Sequence, residues 1–161
     1  MKTFILSFIA FVLAGTVPLV AKESYSQPGS ATVQLGLGPS WGNGGGLNLQ
    51  GGGDWGLGQV SLAPEVPLDL GVAGRVGAFS LTGLTAAAFG TVHYSWKFLG
   101  SKWEWLNQME TYVGLGVQIL PGLFPAGYFG ADYHFDSHWA VFLEASSLNY
   151  ASTVLGASYK F

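Results

Sequence analysis

Residues 66–76 read VPLDLGVAGRV, and sorting them by parity decides the fold. Val66, Leu68, Leu70, Val72 and Val76 fall in one set, and Asp69, Gly71, Ala73 and Arg75 in the other. Successive side chains of a β-strand point to opposite faces, so this segment is a strand with one bulky apolar face and one small or charged face. The same division recurs upstream, where Val33, Leu35 and Leu37 oppose Gln34 and Gly36, and Leu47, Leu49, Trp55 and Leu57 oppose Asn48, Gln50 and Asp54. Downstream, Leu84, Ala86, Ala88, Val92, Tyr94, Trp96 and Phe98 oppose Thr85, Thr91, His93, Ser95 and Lys97. Met109 to Ile119 split against Glu110, Tyr112, Gly114, Gly116 and Gln118, and Phe129, Ala131, Tyr133 and Phe135 against Tyr128, Gly130, Asp132 and His134. Trp139, Val141, Leu143 and Ala145 oppose Phe142, Glu144 and Ser146; Leu155, Ala157, Tyr159 and Phe161 oppose Gly156, Ser158 and Lys160. That makes eight strands.

Between them lie short stretches rich in Gly, Pro, Asn, Asp and Ser, such as PSWGNGG, LAPE, PGLFP and DSH. Short connections make sequential strands antiparallel neighbours, so the expected fold is all-β, an eight-stranded antiparallel up-and-down barrel.

Composition decides the medium. Charged residues are 9% of the chain and hydrophobic ones 49%, against about 25% charged in an ordinary soluble domain. The chain opens with Met1-Lys2, an apolar stretch interrupted by Gly15, Thr16 and Pro18, and then Ala21, which reads as a secretory signal peptide over residues 1–21. A short periplasmic N-terminal segment over 22–30 and a barrel domain over 31–161 follow. Beyond Ala21 no apolar run reaches the roughly 20 residues of a spanning helix, leaving a closed barrel as the way to cross a bilayer with every backbone group bonded. The absence of cysteine excludes a disulfide scaffold, a thiolate metal site and a lipid-modified N-terminal cysteine. A formal charge of -3 with scattered basic residues gives no nucleic-acid footprint.

The direction of the faces follows from their chemistry. Lys and Glu do not carpet the polar half as a water-facing surface requires, so the apolar half is expected to face lipid and the polar half the lumen. Aromatics support this, because Trp55, Trp96, Phe98, Trp103, Trp105, Tyr133, Phe135, Trp139, Tyr159 and Phe161 are expected at the periplasmic ends of outward-facing strand positions. There, rings suit the boundary of lipid and water. Trp41, Phe79 and Phe124 are the candidates for the opposite rim.

The final residues, GASYKF, alternate to the last position, with Tyr159 and Phe161 outward and Lys160 inward. This ending resembles the terminal signal of bacterial outer-membrane proteins, which implies recognition by the barrel assembly machinery. At whole-chain level the sequence resembles the small eight-stranded barrels of the OmpA-domain, OmpX and OmpW types, with shorter extracellular loops than OmpX-like proteins carry. The resemblance implies a bacterial outer-membrane location, outer-membrane lipid as the surrounding partner, a monomer, and a structural or interaction role in the envelope.

Asp54, Asp69, Arg75, His93, Lys97, Glu110, Asp132, His134, Glu144 and Lys160 share the inward parity. Eight strands leave an interior that side chains can fill. Because buried charges must pair and strands three and seven face each other, Arg75 is expected to reach Glu144 or Glu110. The alternative is a narrow pore for ions or small solutes, favoured by inward glycines such as Gly36, Gly52, Gly71, Gly114, Gly130 and Gly156. A lipid-modifying enzyme is a weaker reading, since Asp136, Ser137 and His138 are triad types crowded on one tight turn. His134 and Asp132 lack a third metal ligand, and GLGPSWGNGGG lacks the Lys-Ser/Thr of a phosphate loop, so no metal and no cofactor is expected.

Overall fold

The structure, a computed structural model, describes residues 26–41, 45–63, 66–80, 83–99, 103–148 and 151–161. The expected signal peptide lies outside the described residues. Eight strands form one closed barrel in sequence order: β1 (Ala31–Ser40), β2 (Gly46–Ala63), β3 (Val66–Phe79), β4 (Gly83–Ser95), β5 (Met109–Leu120), β6 (Phe124–His134), β7 (Trp139–Ser146) and β8 (Ser152–Lys160). Every neighbouring pair is antiparallel, and β8 closes against β1.

Register sets the tilt. The Ser30 carbonyl accepts from Gly56 N–H, and the pairing continues through Gly71, Thr91, Gly114, Tyr128, Ser146 and Ser152. It returns to β1 at Ser40, ten residues above its start. A stagger of that size in eight strands inclines them by roughly 40° to the barrel axis. The ten residues of β1 then span about 25 Å, the height of an outer-membrane apolar band.

Burial is inverted relative to a water-soluble domain. Leu35, Leu115 and Leu143 are 62%, 73% and 53% exposed, whereas Arg75, Glu110 and Glu144 are each 1% exposed. Among the described residues no helix is long and apolar enough to span a membrane.

The terminus-side end carries a ring of aromatics. Tyr159 pairs with Trp139 across β7–β8, Met109 with Tyr133 across β5–β6, and Ala31 with Trp55 across β1–β2. Trp139 and Tyr159 meet edge to face at 4.9 Å, Tyr159 and Phe161 at 5.1 Å, and Tyr133 and Phe135 at 5.6 Å.

Some aromatic placements differ from the strand pattern. β4 stops at Ser95, and Trp96–Leu99 is a turn of 3₁₀ helix, so Trp96, Lys97 and Phe98 do not continue the strand alternation. Trp96 still rests on the outer surface, edge-on to Tyr94 and with its Nε1–H donating to Thr111 Oγ1 at 3.3 Å. Trp103 and Trp105 belong to the short helix α1 (Glu104–Asn107) and its N-cap, where their rings stack at 6.2 Å. Phe79 points into the lumen and is buried, leaving Trp41 and Phe124 exposed at the far rim.

Candidate functional site

The lumen is organised in layers. In the middle, Arg75 on β3 crosses to Glu144 on the opposite wall, with Nε and Nη2 donating to Oε2 at 3.2 and 3.1 Å. Its Nη1 donates to Asp54 Oδ2 at 2.9 Å and to the Gly53 and Gly74 carbonyls. Glu144 also accepts from Gln50 Nε2 at 2.6 Å and Gln34 Nε2 at 3.3 Å. The Tyr128 ring lies 4.6 Å from the guanidinium carbon, and its hydroxyl donates to Asp54 Oδ1 at 3.3 Å. Both members of the buried ion pair therefore have additional hydrogen-bonding partners, the condition under which desolvation is offset. Gln34, Gln50 and Tyr128 share the inward parity of the charges, which is the sequence signal that places them beside the network.

Inward glycines are seats for large side chains. A Cβ on Gly130 would strike the Tyr112 ring, one on Gly156 the β1 backbone at Leu35 and the Phe142 ring, one on Gly52 would lie 2.6 Å from the Arg75 stem and one on Gly36 2.5 Å from Val154. Gly114 seats the Tyr128 ring in the same manner, and a Cβ on Gly71 would lie 2.7 Å from Thr91 Oγ1. The missing side chains are thus filled from neighbouring strands, not left as a water path. Phe89 and Tyr128 pack edge to face at 4.7 Å within this filling.

Toward the terminus-side mouth lies an acid–imidazole layer. His93 Nδ1 is 2.7 Å from Glu110 Oε1, His134 Nε2 is 3.5 Å from Glu110 Oε2, and His93 Nε2 is 3.8 Å from Asp54 Oδ1. Ser26, from the segment preceding β1, donates its hydroxyl to Glu110 Oε1 at 2.5 Å and lies 3.2 Å from His93 Nδ1. A cavity of about 10 Å³, room for one water, opens beside them, lined also by Tyr112, Asp132, Ser158 and Lys160. The Tyr112 hydroxyl and Asp132 Oδ1 are buried without a hydrogen-bond partner among the described residues. Asp69 stands opposite His93 across β3–β4 and accepts from Gln59 Nε2 at 2.8 Å, and Lys97 lies on the 3₁₀ turn beyond β4.

The fold brings Ser26, His93 and Glu110 together, but not as a nucleophile, base and orienting acid. Hydroxyl and imidazole Nδ1 both meet Glu110 Oε1, so the carboxylate bonds the serine itself and does not stand behind the imidazole as an orienting acid. In the β6–β7 turn, Asp136 Oδ1 accepts the backbone N–H groups of His138 and Trp139 at 2.7 and 2.8 Å. Those donors, His138 first, hold its carboxyl below the usual carboxylate range. His138 Nδ1 is turned toward the Lys160 carbonyl at 3.0 Å, away from Asp136. Among the described residues no three His, Asp or Glu side chains are grouped to hold a metal ion.

No family model and no curated protein matches the chain. Among solved structures it is similar to one from the de novo design of transmembrane β-barrels, with 22% identity, a TM-score of 0.54, and coverage of 84% of this chain and 98% of the designed one. Ail of Yersinia pestis in a phospholipid bilayer nanodisc aligns at 13% identity over 83% of this chain and 99% of its own, with a TM-score of 0.42. Ail in complex with the heparin analogue sucrose octasulfate aligns at 10% identity over 84% and 100%, with a TM-score of 0.43. At such identities the likeness is one of fold: the chain is a closed eight-stranded antiparallel barrel of the transmembrane kind.

Proposed function

We propose that the chain is a bacterial outer-membrane protein whose barrel is a closed element of the envelope, with a structural or interaction role and no conduit through its axis. The observation that carries this reading is the middle layer, where Arg75 bonds Glu144 across the lumen while rings seated on inward glycines fill the space around it. A water path would require breaking a buried, multiply bonded ion pair, which costs about 3–5 kcal/mol when one partner is lost. The remaining parts of the reading are export by residues 1–21, a terminal strand bearing Tyr159 and Phe161 offered to the assembly machinery, and a monomer in outer-membrane lipid. Purified protein in planar bilayers is expected to give no steady conductance steps; regular channels would overturn the closed lumen. In cell fractions the expected result is an outer-membrane band that migrates differently before and after boiling, and recovery as a soluble periplasmic protein would reject the location.

A further inference from the structure

The segment before β1 covers the terminus-side mouth by contacts of an unusual kind. Gly29 N–H donates to the Gly56 carbonyl at 2.8 Å, Gly56 N–H donates to Ser30 at 3.0 Å, and Ser30 N–H and Oγ–H both donate to the Gln27 carbonyl. Ser26 then reaches into the lumen to Glu110 and His93. No apolar side chain of Ser26–Ser30 is buried, so a few hydrogen bonds hold the segment, the kind of element that opens at low free energy. Behind it lie the Tyr112 hydroxyl and Asp132 Oδ1, buried and without hydrogen-bond partners among the described residues, and these groups gain hydration when water enters.

We propose that Ser26–Ser30 is a removable stopper, and that it closes a blind vestibule which admits small cations when the segment leaves. The inference rests on the closed-lumen reading, since the Arg75 layer is the vestibule's ceiling. Its charge follows from the lining, where the carboxyl groups of Asp54 and Asp132 outnumber the amine of Lys160, with Glu110 behind His93 and His134.

The absence of cysteine makes a clean test possible. Ser158 is buried, lines the vestibule and differs from cysteine by one atom. In the full-length protein in lipid vesicles, S158C is modified with a cationic and an anionic methanethiosulfonate reagent at pH about 8, where an ordinary cysteine thiol is partly ionised. The parent is expected to react slowly with both. Adding Ser26→Ala and Gly29→Pro removes the Ser26 hydroxyl and the Gly29 donor, and proline cannot adopt the φ of 83° at Gly29. The rate is then expected to rise about tenfold or more, with the cationic reagent faster. Fast reaction in the parent, or no acceleration in the variant, overturns the stopper, and equal rates for the two charges in the opened form overturn the cation preference. Should the double change fail to give the heat-shifted band of a folded barrel, Ser26→Ala alone, which leaves the wall untouched, is read by the same rates. Conductance of the parent would sink the closed lumen without this acceleration being lost, so the two failures are distinguishable.

Discussion

Gly130 and Gly74 have the same side chain and opposite roles. On Gly130 a Cβ would strike Tyr112, whose ring is held between that backbone and His93 at 5.4 Å. On Gly74, which faces outward, a Cβ would meet nothing within 4 Å. Gly130→Ala is therefore expected to destabilise the barrel by about 1–3 kcal/mol through overpacking. Gly74→Ala should stay within about 0.5 kcal/mol. Urea unfolding from lipid vesicles, followed by tryptophan fluorescence, measures both; equal effects would mean that the inward glycines are not seats. The ion pair answers to the same assay. Glu144→Leu strands the Arg75 guanidinium with only Asp54 as carboxylate partner, and a loss of about 3–5 kcal/mol is expected. Adding Arg75→Met should recover part of that loss, and simple additivity of the two changes would deny the coupling.

At the scale of elements, the β6–β7 turn is shaped by one carboxylate. Asp136 satisfies two backbone donors at the start of β7, and because its folded pKa is depressed, the stability it contributes is full above its unfolded value of about 3.9 and is lost as pH falls through the lower folded value. A carbon-detected titration should find the Asp136 midpoint below about 3.9, and a midpoint at or above it would show that the turn does not hold the charged form. The strands themselves were legible from parity, because each buries one face and alternation leaves no other solution for segments such as Val66–Val76. Their ends were less so. Trp96, Lys97 and Phe98 continue the alternation in sequence, yet β4 winds into a 3₁₀ turn after Ser95, where its pairing with β5 ends opposite Glu110. The meaning of the glycines was hidden for a related reason: whether Gly130 leaves a void or seats a ring depends on its pairing opposite Tyr112, and register is not written in either strand alone. Ser26 carried no signal, since a serine before the first strand is ordinary until the chain is seen to fold back over the mouth.

The whole molecule depends on which medium touches the apolar face. Leu115 lies on the outward parity of β5, inside the span bounded by the Met109–Tyr133 pair and the Gln118–Phe124 pair, and is 73% exposed. If that surface met water, an arginine there would be nearly neutral, as most exposed substitutions are. Against the middle of a bilayer the same change costs about 2–4 kcal/mol, because the guanidinium must be carried into hydrocarbon or snorkel far to a head group. Leu115→Arg is therefore expected to lose about 2–4 kcal/mol in urea unfolding from vesicles. Leu57→Arg, on the terminus-side extension of β2 where the wall leaves the apolar band, should lose no more than about 1 kcal/mol. The contrast in depth is the discriminating quantity, since loss of side-chain packing alone would penalise two similarly exposed leucines alike. Equal costs at the two positions would mean that no lipid slab surrounds the barrel, and the inverted burial would then need a protein partner, not a membrane, to cover it.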